Sequence, residues 1–162
     1  MTYENPTYEL KMNYPSNWIK NETQFGTTPV ILATFNSPET NSKNKYIAEV
    51  RLKIDDFPSS SVNEFGNPDV NEYSRSVIMN YTIHPSTNIV NFKVIGSDSY
   101  AQLAGQNAYK FVFTFTDIGT GINYEGIETG TVVGSGVGSK VYTISAKTDA
   151  DQYSNYLPTY KR

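Results

Sequence analysis

Apolar and polar positions alternate through most of this chain. Tyr8, Leu10, Met12 and Tyr14 interleave with Glu9, Lys11 and Asn13, the period of a strand with one buried face, and Pro15-Ser16 ends the run. Trp18-Ile19 opens a short second extended piece that leads into the polar turn Asn21-Glu22-Thr23-Gln24-Phe25-Gly26. Val30 to Phe35 is apolar at nearly every position, as expected of a strand covered on both faces. From Tyr46 to Asp55, Tyr46, Ala48, Val50, Leu52 and Ile54 point one way, and Ile47, Glu49, Arg51, Lys53 and Asp55 the other.

The period then changes. Phe57-Pro58-Ser59-Ser60-Ser61 and Phe65-Gly66-Asn67-Pro68 are loop signals. Asp69-Val70-Asn71-Glu72 reads as a capping box, with the Asp69 carboxylate accepting from the Glu72 amide and Glu72 reaching back. Val70, Tyr73, Val77, Ile78 and Tyr81 follow at helical spacing and predict a helix of about a dozen residues with one face on the sheet. Strand patterns return at 89–95 and 107–117, where Tyr109, Phe111, Phe113 and Phe115 form an aromatic row. Asp117-Ile118-Gly119-Thr120-Gly121 is a hairpin turn, and Gly134 to Ser139 joins the strands 124–133 and 140–147 as a second one. Tyr153, Tyr156, Leu157 and Tyr160 predict a C-terminal helix from about Asp149 or Asp151 that docks on the sheet, with Pro158 kinking or dividing it. Strands, helix, strands, helix without an internal repeat predict one α+β domain over 1–162, with a mostly antiparallel sheet of about six strands.

Composition supports a sheet: 13 Tyr and 8 Phe suit a pleated, half-buried surface, and only 18% of residues are charged against a usual figure of about 25%. The absence of Cys excludes disulfide scaffolds, thiolate zinc sites, iron–sulfur clusters and cysteine nucleophiles. A formal charge of -3 offers no positive sheath for a nucleic-acid backbone. No apolar run reaches the roughly 18 residues of a membrane-spanning helix, although peripheral membrane association stays open. Met1 is followed at once by Thr2-Tyr3-Glu4-Asn5, so the chain is expected either to be cytoplasmic or to have lost a targeting segment.

Three stretches carry a family resemblance. Tyr8 to Trp18 resembles the opening strand and Tyr-Pro-Ser-x-Trp corner of the PsbP family. Leu103-Ala104-Gly105-Gln106-Asn107-Ala108-Tyr109 is similar to that family's Gly-x-x-Ala-Tyr approach to its central strand, and Lys140 to Ala146 to its late strand. In order and spacing they cover essentially the whole chain, and the composition resembles PsbP-related domains of archaeal surface or exported proteins. The chain stops at Lys161-Arg162, where relatives continue their last helix into a Met-Ile-x-Ser-Phe type ending. The resemblance implies an α-β-α sandwich, also found in a Ran-binding nuclear import factor. It further implies an extracytoplasmic accessory role, as in the plant photosystem II subunit that helps retain calcium and chloride.

Candidate chemistry is sparse. His84 is the sole histidine; it sits between Ile83 and Pro85, where a helix end explains it, and no Gly-x-Ser-x-Gly elbow accompanies it. Glu125 and Glu128, three apart on a strand, point to opposite faces and cannot flank one glycosidic bond; solvated strand positions account for them. Gly130, Gly134, Gly136 and Gly138 with Lys140 lack the Ser or Thr and the following helix of a phosphate loop. Asp55 and Asp56, with Asp98 or Asp117, offer hard oxygen ligands for a weak divalent cation such as calcium; ordinary strand-end turns are the competing explanation. Asn21-Glu22-Thr23 and Asn80-Tyr81-Thr82 match the glycosylation acceptor pattern. The aromatic row reads as core beneath a helix, and with one end open Tyr109, Phe111 and Phe113 line an apolar ligand cleft. With no convergent acid, base and nucleophile, the expectation is a non-enzymatic binding domain without a cofactor that presents its surface to a protein partner or an ion. A small-molecule carrier and a hydrolase are the alternatives.

Overall fold

The computed structural model describes residues 1–23, 29–59, 61–63, 67–83, 88–135 and 138–160, with residues 159 and 160 by backbone only. His84 and Pro85 therefore lie outside the described residues, as do Gln24 to Gly26, Ser60, Phe65 and Gly66, Gly136 and Val137, Lys161 and Arg162, and the side chain of Tyr160.

Two strands, β1 (Thr2–Asn5) and β2 (Leu10–Asn13), pair as an antiparallel hairpin. The continuous strand expected from Tyr8 is instead interrupted: Pro6–Tyr8 form one 3-10 turn, closed by Glu9 at φ 53, and the strand begins at Leu10. Pro6 pre-sets the turn's φ and the Asn5 side chain accepts from the Tyr8 amide at 3.3 Å, so local capping overrides the alternation.

Seven strands make the main sheet: β3 (Ile19–Glu22), β4 (Val30–Asn36), β5 (Ala48–Asp56), β6 (Ile89–Leu103), β7 (Gln106–Asp117), β8 (Asn123–Val133) and β9 (Lys140–Asp149). Their spatial order is β3-β4-β5-β9-β8-β7-β6, and every neighbouring pair is antiparallel. The chain winds β3 to β5, crosses by helix α1 (Val70–Ile83) to the far edge, and returns through β6 to β9 until β9 closes against β5. A strand longer than expected, β6 extends past Ile95 to Leu103 because Ala104 and Gly105, at φ 52 and 77, form the tight turn into β7.

Because side chains alternate, the sheet carries two cores. On one face Tyr109, Phe111, Phe113, Phe115, Tyr124 and Val141 lie beneath Tyr73, Val77 and Ile78 of α1. On the other, Phe35, Ala48, Leu52 and Ile54 are covered by Tyr3, Leu10 and Met12 of the hairpin and by Tyr156 of α2 (Tyr153–Tyr160). The inward set expected for the β5 strand holds from Ala48 onward; Tyr46 precedes the strand and is 40% exposed. Asp69 caps α1 through bonds from the amides of Asn71 and Glu72 at 2.9 and 3.2 Å. The return arm of the expected box is absent, since the Asp69 amide bonds to the Ser61 carbonyl at 2.9 Å and Glu72 pairs with Arg75. After one 3-10 turn at Ala150–Gln152, α2 docks as expected and contains Pro158. No helix of the described residues is long and apolar enough to cross a membrane.

Candidate functional site

The hairpin and α2 cover only the β4, β5 and β9 side of their sheet face. Beside them an open cleft of about 780 Å³ crosses the same face from β4 to β6, a size typical of small-molecule sites, roughly 300 to 1,000 Å³. Strand register builds its floor. One row across the sheet reads Asp98, Lys110, Thr129, Ile144, and the row two residues on reads Val112, Ile127, Ala146, Val50, Phe35. Val112 excepted, all of these line the cleft.

One wall comes from β2 and the corner after it. Trp18 donates its amide to the Pro15 carbonyl at 3.1 Å, which folds the corner back and brings Tyr14, Pro15 and Trp18 over the floor. The Tyr14 ring packs on Phe35 with centroids 4.6 Å apart. The opposite wall is the end of β6. Register shifts at Val90/Lys93, Val94/Gly96 and Asp98/Ala101 bend this edge strand, as bulges do, so that Asp98 and residues 100–104 rise beside the floor. Tyr100 stands at this rim, 93% exposed.

Polarity changes along the cleft. At the Tyr14 and Trp18 end the floor is aromatic and aliphatic, with Lys11 and Asn13 on the hairpin wall above it; at the β6–β7 end the cleft presents the Lys110 ammonium, the Thr129 hydroxyl and the Asp98 carboxylate. Asp98 accepts from the Tyr100 amide at 2.9 Å, and half-buried Lys110 forms no ion pair or hydrogen bond with any described residue. Lys11, on the hairpin wall, is paired with Glu4 at 2.8 Å.

The residues expected at a site fall elsewhere. Tyr109, Phe111 and Phe113 do not line the cleft; they are 1%, 0% and 7% exposed under α1, because their parity on β7 is opposite to that of Lys110. Asp55 and Asp56 point to opposite faces: Asp55 lies 3.7 Å from Lys53 and accepts from the Asp56 amide, while Asp56 pairs with Lys140. Asp98 faces Lys110 across the β6–β7 ladder, and Asp117 closes the turn at the far end of β7, accepting from the Thr120 amide at 2.8 Å. The structure therefore does not gather these aspartates, and among the described residues no group of three or more His, Asp or Glu side chains is placed to hold a metal.

Glu125 and Glu128 do face opposite ways, but Glu128 is no solvated strand residue. It is buried beneath α1 and accepts from the Tyr109 hydroxyl at 2.8 Å. Burial pushes the Glu128 carboxyl above the usual carboxylate range, with the Tyr109 bond and the charge of Lys53 opposing. Burial likewise raises the Tyr109 hydroxyl, and it pushes Tyr81, across the same core, up to about 12. This pair lies on the far side of the sheet from the cleft.

The cleft was not legible as such in the sequence. Its one available signal was Lys110, a charge on the inner part of a long, otherwise apolar and hydroxyl-bearing strand.

No family model matches this chain, and no curated protein matches it. Solved structures do share its fold. PA94 of Pseudomonas aeruginosa, a protein of unknown function, superposes with a TM-score of 0.59 at 13% identity, over 99% of this chain and 90% of that one. LpqN of Mycobacterium tuberculosis, described as involved in cell envelope biogenesis, gives a TM-score of 0.57 at 12% identity, over 92% of this chain and 76% of that one. At these identities the likeness is one of fold.

Proposed function

We propose that this chain is a non-enzymatic, PsbP-like binding domain of the cell envelope or exterior, an α-β-α sandwich in its layers, that recognises its ligand in the open cleft. The carrying observation is the convergence of the three resembling stretches on that one feature. Lys11 to Trp18 supply one wall, Leu103 and Ala104 part of the other, and Ile144 and Ala146 part of the floor. An external location is supported by the compositional resemblance and by the cell-envelope description of LpqN. A binding role rather than hydrolysis is favoured because the buried titratable pair, Tyr109 and Glu128, sits on the other face of the sheet, apart from this cleft.

Amide chemical-shift mapping tests this function with the neutral apolar dye Nile red as the probe. Shifts should cluster on 11–18, on 98–104 and on the outward positions of β7, β8, β9 and β5. Saturable binding that maps beneath α1, or no saturable binding, would remove the cleft as the site.

A further inference from the structure

Resting on the cleft as the binding site, we propose that its ligand is an amphipathic anion, a carboxylate or phosphate head on an unbranched apolar tail. The head sits on the Lys110 ammonium and the Thr129 hydroxyl; the tail lies over Ile144, Ile127, Ala146 and Val50 toward Tyr14 and Trp18.

The sheet register carries this assignment. Lys110 is flanked in its row by Asp98 on β6 and Thr129 on β8, and the next residue along the row is Ile144. Charge, hydroxyl and aliphatic carbon therefore follow one another across a single line of the floor, at strand spacings of roughly 5 Å. The adjoining row continues the apolar half as Ile127, Ala146, Val50 and Phe35. A ligand that lies along this floor meets the unpaired Lys110 ammonium at one end and the aliphatic carbon of Ile144 and Val50 toward the other, where the hairpin wall adds Asn13 and a Lys11 already neutralised by Glu4.

The cation is uncompensated by the fold. Lys110 is half-buried and makes no ion pair or hydrogen bond with a described residue. Its cross-strand neighbour Asp98 is turned to its own backbone, bonded to the Tyr100 amide. An ammonium partly withdrawn from water attracts an anion more strongly than an exposed one, since the effective dielectric falls. Asp98 opposes the same anion, so the two residues have opposite, separable effects on affinity. Charge complementarity thus selects an anion, and the aliphatic floor selects its tail.

The test is calorimetry on the full chain, below the micellar range, with dodecanoate, dodecyl phosphate, dodecyl maltoside, acetate and inorganic phosphate. Dodecanoate and dodecyl phosphate should each bind at least tenfold tighter than dodecyl maltoside, and acetate and phosphate should give no saturable signal. The two anionic arms separate a carboxylate head from a phosphate head. Lys110→Gln should bring the anions down to the affinity of the maltoside, and Asp98→Asn should tighten them several-fold. Equal binding of neutral and anionic amphiphiles, unchanged by either substitution, would overturn the anion assignment while leaving the cleft in place. Saturable binding of free phosphate or acetate at the affinity of the long-chain anions would overturn the tail. Failure of every amphiphile, Nile red included, would overturn the cleft itself. Asp98→Asn touches only an exposed rim residue, so it decides the charge question even if Lys110→Gln unfolds.

Discussion

The Tyr109 hydroxyl donates to the Glu128 carboxylate at 2.8 Å, and both side chains are buried under α1. Groups facing this carboxylate come from three other elements: Tyr73 and Tyr81 on α1, Thr143 and Ser145 on β9, and Lys53 with Arg51 on β5. Burial dominates and holds the Glu128 carboxyl above its ordinary value of 4.5. The folded state thus keeps a proton that the unfolded chain has released. The stability this group contributes is complete below about 4.5 and is lost as pH rises through the raised folded value.

Glu128→Gln retains an oxygen for the Tyr109 hydroxyl and removes the ionisation. Denaturant unfolding between pH 4 and 9 should show the variant gaining on the parent as pH rises, with a difference slope of up to about 1.4 kcal/mol per pH unit. A difference that stays constant across this range would place Glu128 in water.

The alternation at Ala48 to Ile54 and the helical spacing of Tyr73, Val77 and Ile78 were legible because one buried face imposes one period on side chains. Interruptions were not. Asn5 capping Tyr8 and the Ala104-Gly105 turn act through backbone conformation and leave the apolar pattern unchanged, so the strand at Leu10 looked longer and β6 shorter than they are. Burial of Glu128 was illegible for another reason. A carboxylate on a strand reads as solvated unless its partner is known, and Tyr109 is 19 residues away. The cleft depends on which part of a sheet face the hairpin leaves bare, a tertiary fact that no local period encodes.

Two glycines of β8 make room for the aromatic row. An added Cβ at Gly130 would come within 2.5 Å of the Tyr109 ring, and one at Gly126 within 2.6 Å of Phe113 and 2.5 Å of the Ala146 carbonyl. Neither ring can yield, since each is packed among other aromatics, Tyr109 against Tyr73 and Phe113 against Phe92. Gly126→Ala and Gly130→Ala should each destabilise by about 1 to 3 kcal/mol, as overpacking does. Gly126→Ala should cost more, because backbone at Ala146 blocks relaxation. Chemical denaturation measures both, and a neutral Gly126→Ala would show that the row seats less tightly than its geometry states.

The docking of α2 depends on Tyr156. Its ring meets Trp18 edge-on with centroids 6.0 Å apart, and its hydroxyl donates to Glu39 at 3.1 Å. Trp18 is 8% exposed and is the one tryptophan of the chain, so its emission reports on this contact. An edge-to-face pair adds about 0.5 to 1.5 kcal/mol beyond area burial, and a partly exposed ring loses less than a core one on truncation. Tyr156→Ala should therefore destabilise by about 1 to 2 kcal/mol and shift Trp18 emission to the red as water reaches the indole. Removing everything after Asp149 spares β9 but uncovers Trp18 and the hairpin side of the sheet, which should lower the unfolding midpoint further and promote aggregation. The competing view is a frayed terminus that touches the domain without stabilising it. Thermal unfolding followed by Trp18 emission separates the two, and an unshifted midpoint with unchanged emission in both variants would favour the frayed end.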